Sequence, residues 1–170
     1  GIALYAAHTN LDSTPEGMSW RVGHMLGLES MRVLEPAAAG GGAGFGVVGE
    51  LPTEEPSTEF MRHVMRRFGV QALRHGDIVR PTVRRVAICT GAGGSLIDEA
   101  LAAEADIYLT ADLRYNDFMR HEGRMILVDM GHFESEYCAI EILFDILSKK
   151  LPIFAIRKSV RSRNPVNYMV

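Results

Sequence analysis

Apolar residues recur along the chain in short strand-like runs, and helical stretches alternate with them. Ile2 to Ala7, Met31 to Leu34, Phe45 to Leu51, Val70 to Leu73, Val86 to Cys89, Ile107 to Thr110, Met125 to Met130 and Ile153 to Ile156 read as strands. Between them, helical spacing is marked by Met18, Val22, Met25 and Leu26, ended by Gly27, and by Phe60, Val64 and Phe68, ended by Gly69. Asp12, Ser13 and Pro15 are helix-start signals, and Ser57 and Ser95 are expected to cap helices, the second running to about Ala103. Asn116 to His121 reads as a short helix, and Ala139, Leu143, Ile146 and Leu147 as the apolar stripe of a long last one. The tract Ala37 to Gly44 is low in complexity and is expected to be a loop, and Pro52 to Pro56 a turn. Such alternation predicts a single α/β domain over residues 1–170, three-layered, with a central mixed sheet flanked by helices. No internal repeat or clean domain boundary interrupts it.

The candidate chemistry lies at strand exits. His132 and Glu136 follow the run Met125 to Met130 and are spaced to share one face of a helix start, with Cβ atoms about 5–6 Å apart. That spacing suits two ligands of one metal, or one ligand and a bridge between two, although it also occurs on ordinary helices. His8 and Asp12 repeat the arrangement after Ile2 to Ala7, and open α/β sheets hold their ligands at such ends. Asp112, at the exit of Ile107 to Thr110, is expected to face the same sheet edge as His132.

Two glycine-rich stretches read differently. Gly44 to Gly49 matches Gly-x-Gly-x-x-Gly but lies within a strand-like run instead of opening a helix, so a dinucleotide fingerprint is rejected. Gly91 to Ser95 follows a strand and opens a helix. Its Gly93, Gly94 and Ser95 either contact an anionic substrate group through backbone N–H groups or form a tight turn. Without a P-loop Lys, an ATPase reading fails. His24, His63, His75 and His121 have no carboxylate partner in a comparable setting, and Trp20 is assigned to packing.

Composition narrows the classes. With 170 residues, 47% hydrophobic and 23% charged, the chain can bury one core of ordinary type. A net charge of −3 gives no footprint for nucleic acid, and the cluster Arg157, Lys158, Arg161 and Arg163 reads as a solvated edge strand. Cys89 and Cys138 lack a Cys-x-x-Cys pattern and read as small buried hydrophobes in a reducing, cytoplasmic setting. No apolar run reaches the roughly 20 residues of a membrane span.

The ordered series His8-Thr9-Asn10-Leu11-Asp12-Ser13, Gly46 to Leu51, Gly91 to Ser95, Tyr108 to Tyr115, Gly131 to Glu136 and Asn164 to Tyr168 resembles the Ngg-interacting-factor-like family, also called GTP cyclohydrolase 1 type 2 homologues. The resemblance implies two divalent cations (zinc, iron or manganese) held by a His-His pair, Asp, His and Glu. Asp12, His132 and Glu136 match the last three, with Glu136 bridging and His8 acting as an acid/base or supporting group. It also implies metal-assisted hydrolysis of a small molecule, for which the family name points to a guanine nucleotide without establishing the substrate, and a homo-hexameric ring. The His-His pair is absent, so the chain is expected to be the C-terminal two-thirds of a member, with metal occupancy reduced. Where the family carries a His, Asn116 stands, which cannot titrate near neutral pH. A metal-stabilised regulatory or protein-interaction module is the competing expectation.

Overall fold

In the computed structural model, which describes residues 1–38, 40–120 and 123–169, strand sequence periodicity resolves into one mixed sheet. The elements run α1 (Thr9–Asp12), α2 (Met18–Met25), β1 (Glu29–Pro36), β2 (Gly44–Pro56), α3 (Ser57–Phe68), β3 (Arg74–His75) and β4 (Thr82–Ala92). They continue with a 3-10 turn (Gly94–Leu96), α4 (Ile97–Ala102), β5 (Ile107–Ala111), α5 (Tyr115–Met119), β6 (Ile126–Asp129), α6 (His132–Glu136) and α7 (Ala139–Lys150). Among the described residues the sheet has six strands in the order β1-β2-β4-β5-β6-β3. Strands β4, β5 and β6 are parallel, and the flanking pairs β1–β2, β2–β4 and β3–β6 are antiparallel.

Successive side chains on the central strands point to opposite faces, and each face has its own helices. Val86, Ile88, Ile107, Leu109, Ile126 and Val128 join Val22 of α2, Phe60 and Val64 of α3 and Ile142 of α7 in one core. Ala87, Tyr108 and Leu127 join Leu96, Ile97 and Ala100 on the other. Because β5 and β6 are covered on both sides, every residue in them is buried, which accounts for their apolar runs up to Thr110 and Asp129 near their ends. This is the expected three-layer α/β architecture.

Several elements differ from their sequence reading. Residues 2–7 find no ladder partner and belong to no strand, with Ile2 99% exposed. Pro52 to Pro56 is not a turn. The chain continues as β2, and pairing with β4 shifts register between Glu50 and Glu55, where Pro52 with no N–H to donate is tolerated, and Pro56 ends the strand opposite Thr82. Val70 to Leu73 is not a strand, since the Val70 N–H returns to the Met65 carbonyl to close α3 and the Val70 side chain enters the core. Ser57 does not cap α3; it is its first residue, and its hydroxyl donates to the Arg80 carbonyl at 2.5 Å. Ser95 lies within the 3-10 turn and makes no capping bond. Ile153 to Ile156 forms no strand, so the basic cluster after it is no strand edge; there Lys158 pairs with Glu141 at 2.8 Å. His121, the expected end of α5, and Ala39 of the glycine-rich loop fall outside the described residues. Among the described residues no helix is long and apolar enough to cross a membrane.

Helix α7 packs through only part of the stripe read from sequence: Ala139 lies against the core, together with Ile142, which the stripe left out. Ile142 is buried against the core, whereas Ile146 and Leu147 are 41% and 39% exposed. Ile142→Ala should therefore cost about 2–4 kcal/mol in urea unfolding, and Ile146→Ala only about 0.5 kcal/mol. Equal losses at the two positions would mean that the helix is rotated.

Candidate functional site

Parallel strands β4, β5 and β6 end together, and their exits carry the polar residues that build the site. At β4 the chain turns through Gly91, whose φ is +67°. Three buried hydroxyls hold that turn. Thr110 Oγ1 accepts the Gly93 N–H at 2.9 Å and donates to the Gly91 carbonyl at 3.2 Å. Tyr108 OH donates to the Gly93 carbonyl at 2.8 Å. Ser135 Oγ accepts the Gly91 N–H at 2.9 Å and donates to the His132 carbonyl at 2.8 Å, stitching β4 to α6. The absence of a Cβ at Gly91 matters, because one built there would collide with the Glu136 carboxylate.

Asp129, buried at the end of β6, fixes the other side. Its Oδ2 accepts the Leu113 N–H at 3.1 Å and Arg74 Nη1 at 3.0 Å, and its Oδ1 accepts the Gly131 N–H at 3.1 Å. One carboxylate thus locks the backbone just after Asp112 and just before His132. Asp112 is left-handed, with φ +54°, a region costing L-residues roughly 1–2 kcal/mol but tolerated best by Asp and Asn after Gly. Its Oδ2 lies 2.7 Å from His132 Nδ1, and His132 Nε2 lies 3.3 Å from Glu136 Oε2. The helical spacing read from sequence is therefore realised as direct contact.

His8, at the start of α1, and Asp12, at its end, line one cleft of about 360 Å³ with Cys89, Ser95, His132 and Glu136. Burial and the negative charge of Glu136 raise the Asp12 pKa, while His8 and His132 oppose that shift. At His132 burial works against the proton, but Asp112 and Glu136 outweigh it and the pKa is raised. Burial pushes the Cys89 thiol up to about 12, which keeps it protonated at neutral pH. Asp12, His132 and Glu136 share a cleft, in which His132 and Glu136 are in direct contact. Among the described residues no three His, Cys, Asp or Glu side chains are gathered as a ready ligand set. The donors nonetheless suit a divalent cation: one imidazole nitrogen and two carboxylates, with mutual carboxylate repulsion that a cation would relieve.

Of the glycine-rich turn, Ser95 reaches the cleft, whereas the Gly93 amide is engaged by Thr110. A Cβ on Gly94 would face Asp117 at 3.4 Å, away from the cleft lining. Asn116 is exposed on α5 and is not among the residues lining either cleft beside His132. His24 does meet a carboxylate, Glu16 at 3.4 Å, but on an exposed helix face. Sequence reading missed Asp129, Thr110 and Ser135. The first two are polar residues ending apolar runs, the same signal that marked Asp112. A second cleft of about 690 Å³ shares His132 and Glu136 with the first and is walled further by Arg74, Asp112, Phe133 and Tyr168.

Two outcomes follow from this geometry. Ser135→Ala strands the buried Gly91 N–H and should cost about 1–3 kcal/mol in chemical unfolding. A group whose folded pKa is raised contributes most at low pH and loses that contribution as pH climbs through the folded value. In chelator-treated protein, Asp12 should therefore become a liability as pH rises past the ordinary carboxylate range, while His132 should lose the stabilisation it draws from Asp112 and Glu136 as pH rises past the ordinary imidazole range. The Tm difference between Asp12→Asn and the natural protein should grow more positive between about pH 4 and pH 7. A difference that falls over that interval would refute the burial of Asp12 beside Glu136.

The sequence model of the family described as Duf34/NIF3 (NGG1p interacting factor 3) matches residues 1–165. A Lactococcus lactis protein named GTP cyclohydrolase 1 type 2 homolog is 32% identical, over 97% of this chain and 63% of its own length. A Streptococcus pneumoniae protein of the same name is 34% identical, over 84% of this chain and 52% of its own. The crystal structure of Staphylococcus aureus protein SA1388 superposes with a TM-score of 0.86 at 18% identity, covering 96% of this chain and 68% of that one, a likeness of fold. The chain spans between half and two thirds of these curated relatives. Those shares give an extent and no position, so the expectation of a C-terminal two-thirds is not borne out. By its match over nearly the whole sequence, the chain belongs to the Duf34/NIF3 family.

Proposed function

We propose that Asp12, His132 and Glu136 are the metal-binding face of a metal-dependent hydrolase acting on a small molecule. The observation that carries this reading is the 3.3 Å approach of His132 Nε2 to Glu136 Oε2, at the carboxyl ends of parallel strands, in a cleft shared with Asp12 and His8. His132 would offer Nε2, and Asp12 and Glu136 would offer carboxylate oxygens. Glu136, with two oxygens, is suited to bridge a pair of ions in the whole protein, where zinc, iron or manganese fits the mixed N/O set. A divalent cation there supplies a water of lowered pKa and polarises the bond to be cleaved. His8, in the cleft wall, is the group to take and return a proton. The relatives' name, GTP cyclohydrolase 1 type 2 homolog, suggests a guanine nucleotide as a substrate to try first. Assembly as a homo-hexameric ring belongs to the same proposal.

A second reading is a metal-stabilised interaction module without turnover. It draws on the exposed apolar row Ile146, Leu147 and Leu151 along and just beyond α7, which a partner surface would cover.

Calorimetric titration with zinc or manganese should give one weakly held ion per chain, lost in His132→Ala. Two tight sites would overturn the expectation of reduced occupancy. With metal present, a panel of nucleotides and phosphoesters should show turnover that His132→Ala abolishes. Metal binding with no turnover on any of them, together with a large metal-dependent rise in Tm, would favour the interaction module.

A further inference from the structure

We propose that Asp112 is the positioning residue of this site: it fixes the ring and tautomer of His132, keeping the proton on Nδ1 so that the Nε2 lone pair faces the cleft beside Glu136. This rests on the metal-binding reading above, although its main test does not.

Four observations converge. The two contacts of the imidazole are unequal: Nδ1 to Asp112 is 2.7 Å, the length of a charge-assisted hydrogen bond, and Nε2 to Glu136 is 3.3 Å. When the ring is neutral, its single proton belongs with the shorter contact. Second, Asp112 occupies the left-handed region at φ +54°, a conformation with a cost, while its side chain is 55% exposed. An exposed pair adds little to folding, so the strain is not offset by stability, and strain of this kind collects at functional positions. Third, the separation of the two side chains is not set by their own contact. Asp129 holds the Leu113 and Gly131 amides with its two oxygens, so the backbones carrying Asp112 and His132 are already in place. Fourth, His132 lines both clefts, so a ring free to turn could offer Nε2 to either one. Anchoring Nδ1 removes that choice. A carboxylate on the non-ligating nitrogen is the general way in which a metal-bound imidazole is oriented.

The test uses histidine ¹⁵N-labelled, chelator-treated protein at about pH 9, where imidazoles are neutral. Long-range proton–nitrogen correlation reads the tautomer directly, and His132 is assigned by its loss in His132→Gln. The natural protein should show the proton on Nδ1. Asp112→Gly removes the carboxylate and the left-handed strain together. It should move the proton mainly to Nε2, leave Tm unchanged or higher, and weaken zinc binding by about 10- to 100-fold. Asp112→Asn, which tolerates the same φ and retains an accepting oxygen, should restore the Nδ1 tautomer and most of the affinity. A natural protein with its proton on Nε2, or an unchanged tautomer in Asp112→Gly, would overturn the proposal. If the tautomer responds as described but the natural protein binds no zinc or manganese, the metal reading falls and the positioning role of Asp112 stands.

Discussion

The buried carboxylate of Asp129 is the constraint on which the site geometry rests. A carboxylate removed from water must be matched by donors, or it costs several kcal/mol. Here the donors are two backbone amides from different connections, Leu113 and Gly131, and the Arg74 guanidinium from the strand paired beside β6. Satisfying one side chain therefore sets the distance between the β5 exit and the start of α6. A cluster of exposed contacts would leave those loops free to separate; a buried acceptor of fixed geometry does not.

The parallel strands supply the rest of the logic. Their apolar bodies fill two cores, and polar residues begin where each strand leaves them: Thr110 near the end of β5 and Asp112 just past it, Asp129 ending β6 and His132 opening α6, while Gly91 turns the chain at the end of β4. Hydroxyls bridge the exits without adding charge, while the acids accumulate around one imidazole. Asp112 and Glu136 flank His132, and Asp12 joins them in the cleft. Burial, and after it the charge of Glu136, makes an ionised Asp12 costly in this cleft, visible in the upward shift of its pKa.

Much of the sheet was legible because burial on both faces leaves an unmistakable apolar run, as in β5 and β6. The pairing of His132 with Glu136 was legible because helical spacing fixes it locally. What failed was whatever depended on a partner far along the chain. Residues 2–7 have the composition of a strand but no ladder to join, and Pro52 to Pro56 looked like a turn because the register shift that admits Pro52 exists only with β4 alongside. Helix α7 misled for a related reason: its apolar residues cover more than one face, and only packing selects Ile142. Asp129 was unreadable because a terminal Asp on a strand looks the same whether it meets solvent or three donors.

Gly91 carries a consequence for variation. Any side chain there would overlap the Glu136 carboxylate, and the backbone is already left-handed. Replacement of this residue thus meets two obstacles of unequal kind: a left-handed backbone that strains any L side chain, and an acid forty-five positions downstream whose carboxylate would have to swing aside. A larger residue at the β4 exit would therefore be felt first at Glu136, displacing the very group that approaches His132.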